Sequence, residues 1–154
     1  MHVGHVRMIR EAAALGDELV VILNNDNWLM KKKGYVFMPE VQRKEILECI
    51  KGVTRVVLTA HEPDDEDRSV CRELREIRPA IFAQGGDRDK RDALDPESSQ
   101  NPEAILCAEM GTEIIYNVGA GGKVQSSSWL TATDRFERDC FCGSGQRYIT
   151  CHGK

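Results

Sequence analysis

No apolar run in this 154-residue chain approaches the ~20 residues that a membrane-spanning helix needs, and no secretory leader opens it. A soluble, cytoplasmic protein without a membrane partner is the expectation. Basic residues are not in surplus either. The 21 Lys+Arg face 25 Asp+Glu, a formal net charge of -4, so electrostatics give no general reason to expect a nucleic-acid partner. Nor are the six cysteines spread as a disulfide framework would spread them. Cys49, Cys71 and Cys107 lie singly inside periodic segments, the pattern of buried, reduced thiols. Cys140, Cys142 and Cys151 crowd the end of the chain beside His152, which favours local metal binding there. What is present is a 41% hydrophobic composition, enough for the core of about one domain with a small appendage.

Strand and helix patterns alternate along the chain. β-Branched runs fall at 18–23 (ELVVIL), 55–59 (RVVLT), 80–83 (AIFA) and 113–116 (EIIY). They are continuously apolar, as parallel strands covered on both faces are. Helical patterns fall at 4–15, 39–51, 67–77 and 102–110. The first carries Val6, Ile9 and Ala13 on one face, and the third spaces Val70, Leu74 and Ile77 likewise. Repeated β-α-β units predict an α/β fold, a doubly wound Rossmann-like parallel sheet with helices on both faces. Ligands of such sheets sit beyond the carboxyl ends of the strands, here the loops at 24–38, 60–66, 84–101 and 117–125. The first helix starts almost at Met1, so the opening strand of such a fold is read as missing from this sequence. Past residue 134 the rhythm stops, which divides the chain into a domain at 1–134 and a cysteine-rich tail at 135–154.

The sharpest local signal is His2-Val3-Gly4-His5. Two imidazoles three residues apart at a helix start project from the same side of its first turn. Gly4 between them lets a ligand approach the backbone, and the free N–H groups of that turn favour phosphate. Imidazole donors there suit a triphosphate and the charge that develops during phosphoryl transfer. The acidic run at 62–67 (EPDDED) reads as a solvated loop, His61 beside it as a lone histidine without a clear partner, and the mixed-charge stretch at 87–92 as exposed and mobile.

Further residues resemble the H-x-G-H nucleotidyltransferase superfamily, in its cytidylyltransferase-like branch, which includes glycerol-3-phosphate cytidylyltransferases and heptose-phosphate adenylyltransferases. His2-Val3-Gly4-His5 resembles the signature. Asn25-Asp26 followed by Lys31-Lys32-Lys33 resembles the loop whose lysines contact phosphates, and it leads to Arg43, where the family places an arginine. Gln84-Gly85-Gly86-Asp87 is similar to the segment near the base and ribose, and Gln125-Ser126-Ser127-Ser128 to the motif that holds the triphosphate. Taken singly, a lysine triplet is ordinarily a surface loop, Gly-Gly-Asp a turn and a serine triplet an N-cap cluster.

The resemblance implies transfer of CMP or AMP from CTP or ATP to a sugar- or polyol-phosphate, with release of pyrophosphate and with Mg²⁺ accompanying the nucleotide. His2, His5, Lys33 and Arg43 would be the catalytic set. Gly4, Asp26, Gly85, Gly86, Asp87, Ser126, Ser127 and Ser128 would bind nucleotide. The missing strand bears on whether activity is retained. Two alternatives stay open, FMN adenylylation and a catalytically impaired nucleotide-binding module. A homodimer is a further expectation.

The tail, with its C-x-C-x8-C-H spacing, resembles the SEC-C motif. Three thiolates from Cys140, Cys142 and Cys151 with the imidazole of His152 suit tetrahedral, structural Zn²⁺. A segment this short needs the metal to fold, and its resemblance implies a protein partner.

Overall fold

The computed structural model describes residues 1–85, 88, 90–98, 100–119, 144 and 146. Helices and strands alternate in the order α1 (Val3–Ala12), β1 (Val20–Leu23), α2 (Asp26–Lys33), α3 (Glu40–Glu48), β2 (Arg55–Leu58), α4 (Cys71–Ile77), β3 (Ile81–Gly85), α5 (Lys90–Leu94), α6 (Gln100–Met110) and β4 (Glu113–Val118). β1 pairs with β2 and β3 with β4, each in parallel, as two separate two-stranded ladders.

The continuous apolar character of the strands has its cause in a core on each face. Successive strand side chains point to opposite sides. On one side Val21 and Leu23 join Ile9 of α1, Leu47 of α3 and Val56 of β2. On the other, Ile22, Phe82 and Ile114 pack against Cys71 and Leu74 of α4 and Leu106 and Cys107 of α6. Helices therefore cover both faces of parallel strands, the expected α/β Rossmann-like arrangement.

Several local expectations are corrected. The stretch at 24–38 is not a continuous loop, because it contains α2. Asn25 caps that helix by accepting the Trp28 N–H at 3.0 Å. Asp26 stands in its first turn, Lys31–Lys33 in its last, and Gly34 ends it in the left-handed conformation at φ 76°. All four features favour a helix. Periodicity missed it because none of its residues is buried. The lysine triplet is thus a helix terminus. The stretch at 84–101 likewise contains α5, and α6 begins at Gln100.

α4 begins at Cys71 rather than residue 67. The Ser69 N–H is taken by Asp67 Oδ1 at 2.8 Å and the Val70 N–H by Glu103 Oε1 at 3.0 Å, so the chain is held in a turn first. On α1, Ile9 is buried but Val6 is exposed. Of the three single cysteines, Cys71 and Cys107 are buried and Cys49, at the end of α3, is exposed. Burial raises the Cys71 thiol and pushes Cys107 up to about 11, so both stay protonated and unreactive at neutral pH. Among the described residues no helix is long and apolar enough to cross a membrane.

Leu74, fully buried between α4 and α6, measures this core. Leu74→Ala is expected to destabilise the chain by about 2–5 kcal/mol, read from denaturant unfolding, with an unchanged far-UV spectrum before the transition.

Candidate functional site

The carboxyl end of β1, the start of α2 and the start of α3 meet at one side chain. Arg43, 8% exposed, donates from Nε to Met38 O at 2.9 Å, from Nη1 to Asn24 O at 2.6 Å and from Nη2 to Asp26 Oδ1 at 2.5 Å. Asp26 and Glu40 exchange reciprocal bonds, each backbone N–H donating to the other's carboxylate at 2.6 and 3.1 Å. This clamp fixes α2 on α3, and so decides where Lys33, the last residue of α2, lies.

Beside the clamp stands the amino end of α1. His2 occupies the N-cap in an extended conformation without a side-chain cap, and the first turn carries no acidic residue. The positive end of the helix is therefore not neutralised from within. The His2 and His5 rings lie tilted with centroids 3.9 Å apart. Their Nδ1 atoms are buried and have no hydrogen-bond partner among the described residues.

The electrostatics are one-sided. Burial first, then His2, the terminal amine and Lys33, pull the His5 imidazole down to about 4. His2 is lowered by burial, the terminal amine and Lys33. The amine of Met1 is lowered by burial, Arg43 and Lys33. These positive neighbours depress the imidazoles and the amine, and the Asp26 carboxylate is held by Arg43. A bound anion would relieve all of these repulsions together.

The third element of the site is held by shape. A Cβ on Gly85, the last residue of β3, would stand 2.1 Å from Met8 Sδ, and one on Gly119 would stand 3.2 Å from Met8 Cα. Met8 lies one turn beyond His5 on α1. The bare backbone at Gly85 and Gly119 is what lets the histidine helix settle against the carboxyl ends of β3 and β4.

His2, Gly4, His5, Lys33, Arg43 and Asp26 are therefore brought to one region, with Gly85 beneath α1. Gly86, Asp87, Ser126, Ser127 and Ser128 lie outside the described residues, as do Cys140, Cys142, Cys151 and His152. Sequence reasoning missed Met1's amine, Glu40 as the partner of Asp26, and Gln84 as a buried polar residue. The Asn-Asp pair before α2 was the available signal for the first two elements of the clamp. His61, read as lacking a clear partner, is 6% exposed and has several, with Nε2 3.1 Å from Ser69 O and its carbonyl accepting the side-chain amides of Asn25 and Asn27. The acidic run beside it is tied down, since Asp65 pairs with Arg72 at 2.7 Å and its carbonyl accepts Lys31 Nζ.

The cytidylyltransferase-like family model matches residues 1–106. The chain belongs to the cytidylyltransferase-like family. Members similar to it include the FAD synthase of Methanosarcina mazei, 38% identical over 88 residues, or 57% of this chain and 54% of that protein. The FAD synthase of Pyrococcus abyssi is 36% identical over 90 residues, or 58% of this chain and 57% of that protein. The chain thus spans a little over half the length of these relatives. The crystal structure of a lipopolysaccharide core biosynthesis protein from Thermoplasma volcanium superposes with a TM-score of 0.55 at 24% identity, covering 77% of this chain and 88% of that one. It has the same cytidylyltransferase-like fold.

The depressed imidazole has a stability consequence. His5 falls from 6.5 in the open chain to about 4 in the fold. The unfolded chain binds the extra proton between those values, so the contribution of His5 is complete above pH 6.5 and is lost as pH falls toward 4. The melting temperature of the protein is expected to drop across that window, and in His5→Asn the drop is expected to be smaller. Inorganic tripolyphosphate is expected to raise both imidazoles, followed by NMR titration of the ring protons.

Proposed function

We propose that this cytidylyltransferase-like protein transfers a nucleoside monophosphate from ATP or CTP to a phosphorylated small molecule. The observation that carries this reading is the collection of mutually repelling cationic groups, with two orphaned imidazole nitrogens, at the unneutralised amino end of α1. An acceptor phosphate oxygen attacks the α-phosphorus, a bond from that oxygen to phosphorus forms, and the bond to the β-phosphate breaks. Pyrophosphate leaves. Catalysis of this kind needs no covalent enzyme intermediate; positioning and stabilisation of developing charge suffice.

His2 and His5 hold the phosphates and the leaving group, with the backbone at Gly4 close behind them. Lys33 closes over the chain of phosphates from α2. Arg43 sets α2 in place through Asp26 and has two of its five N–H hydrogens left for a substrate oxygen. Gly85, Gly86 and Asp87 border the base and ribose, and Ser126–Ser128 hold the triphosphate tail. Mg²⁺ would be held mainly by the nucleotide's own phosphates, the usual manner for that ion, and would offset their charge. The cytoplasm, where nucleoside triphosphates are abundant, is the setting this chemistry requires.

Two acceptor classes fit about equally. A sugar- or polyol-phosphate is supported by the family, and FMN with ATP as donor is supported by the relatives named FAD synthase. Pyrophosphate release with ATP and CTP against FMN, glycerol 3-phosphate and a sugar 1-phosphate separates them. His5→Ala is expected to reduce turnover by at least about 100-fold with an unchanged melting temperature above pH 7. Unchanged turnover would reject the role of His5, and ATP binding without any pyrophosphate release would favour a binding module.

The tail is proposed to hold one structural Zn²⁺ through Cys140, Cys142, Cys151 and His152, four ligands that close the coordination sphere, and to dock a protein partner. Zinc measured by X-ray fluorescence on the purified chain is expected at one per chain, and Cys151→Ser is expected to lose it.

A further inference from the structure

At the carboxyl end of β3 a buried carboxylate governs an arginine, Arg88. Glu103 of α6 is 3% exposed, and burial raises its carboxyl above the ordinary value. Its Oε1 accepts the Val70 N–H at 3.0 Å and its Oε2 accepts Gln84 Nε2 at 3.0 Å. Gln84 is itself 5% exposed, on the last turn of strand before Gly85.

That second bond decides which way the Gln84 amide points. A carboxylate accepts and cannot donate, so it selects the NH₂ end of the amide and turns the carbonyl away. The outward carbonyl, Gln84 Oε1, then accepts Arg88 Nη1 at 3.1 Å, while the same Nη1 stands 3.9 Å from Glu103 Oε2. Arg88 is the outermost link. Its side chain is 37% exposed, and both contacts fall on Nη1, so they engage neither Nε nor Nη2.

Its position gives those donors a target. Arg88 follows Gly85 by three residues, and Gly85 is the contact point of the helix that carries His2 and His5. Open α/β folds bind ligands beyond the carboxyl ends of their strands, and a guanidinium held at one edge is suited to pair with phosphate oxygens. A solvated surface arginine would not need two buried polar residues from β3 and α6 to aim it.

We propose that Arg88 contacts a phosphate of the bound nucleotide, and that Gln84 and Glu103 are positioning residues that aim it. The inference rests on the nucleotidyl-transfer reading for the identity of the ligand. Arg88 touches substrate, whereas Gln84 acts through Arg88, and Glu103 acts through Gln84 and through its own ion pair with Arg88.

The test compares the unaltered chain, Arg88→Ala, Arg88→Lys, Glu103→Gln and the Arg88→Ala/Glu103→Gln double variant. ATP binding is measured by calorimetry, KM and kcat by pyrophosphate release, and the melting temperature for each. Arg88→Ala is expected to weaken ATP binding and raise its KM by about 10-fold or more at an unchanged melting temperature. Arg88→Lys is expected to restore part of that loss, since a single ammonium replaces a fork. Glu103→Gln keeps the shape and the Val70 bond but no longer selects one amide orientation; it is expected to raise KM more than it lowers kcat. The double variant is expected to bind ATP no more weakly than Arg88→Ala alone.

Arg88→Ala binding ATP as tightly as the unaltered chain would overturn the proposal, as would additive losses in the double variant. ATP binding without pyrophosphate release in the unaltered chain would sink the transferase reading alone, because the binding comparison among the variants stands apart from turnover.

Discussion

The arrangement depends on one buried guanidinium. Arg43 binds the carbonyl at the end of β1, the carboxylate that opens α2 and the carbonyl just ahead of α3. A buried charge is tolerated only when its donors are met and its charge is opposed, and Asp26 does the second. Once Arg43 is satisfied, α2 has no freedom to swing, and its terminal Lys33 is committed to the histidine end of α1. A side chain that looks catalytic in isolation therefore also builds the site. The two roles are compatible because its planar fork has more donors than the clamp uses.

Positive charge gathered at one helix end is costly to the fold, and the protein carries that cost at the amino end of α1. The imidazoles are kept neutral by burial, by the terminal amine and by Lys33, with His2 acting on His5 as well, the amine of Met1 is depressed, and no acid sits in the first turn of α1. Strain of this kind persists where it serves a ligand. The polyphosphate of the proposed substrate would be its complement, neutralising the field and suiting an uncapped helix end. The glycines against Met8 make this geometry possible, since a Cβ at Gly85 would displace the Met8 side chain and one at Gly119 would press on the Met8 backbone.

A second polar device lies on the opposite face. Glu103, Gln84 and Arg88 run from a buried carboxylate to a partly exposed guanidinium, against the apolar core of α4 and α6. Each ladder thus carries a charged group at the carboxyl end of one of its strands, β1 and β3. Arg43 and Lys33 come from the α1/α3 side, and Arg88 from the α4/α6 side. The loops of this architecture hold chemistry because the strands between them are rigid and dry.

Sequence alone determined the alternation of strands and helices, because residues such as Val21, Ile22 and Leu23 are apolar without a break only when both faces are covered. It also singled out the His2/His5 pair, whose meaning is local: three residues on a helix put two rings side by side. Helix α2 escaped because capping, not burial, makes it, and the apolar period carries no trace of a helix with no buried face. What only tertiary structure decided is which distant groups meet. That Arg43 would be spent largely on Asn24, Asp26 and Met38, that Glu103 would reach Gln84 across 19 residues, and that Met8 would fill the space above Gly85 depend on packing between separate elements. Periodicity reports which face of a segment is buried. It holds no information about which segment lies against that face.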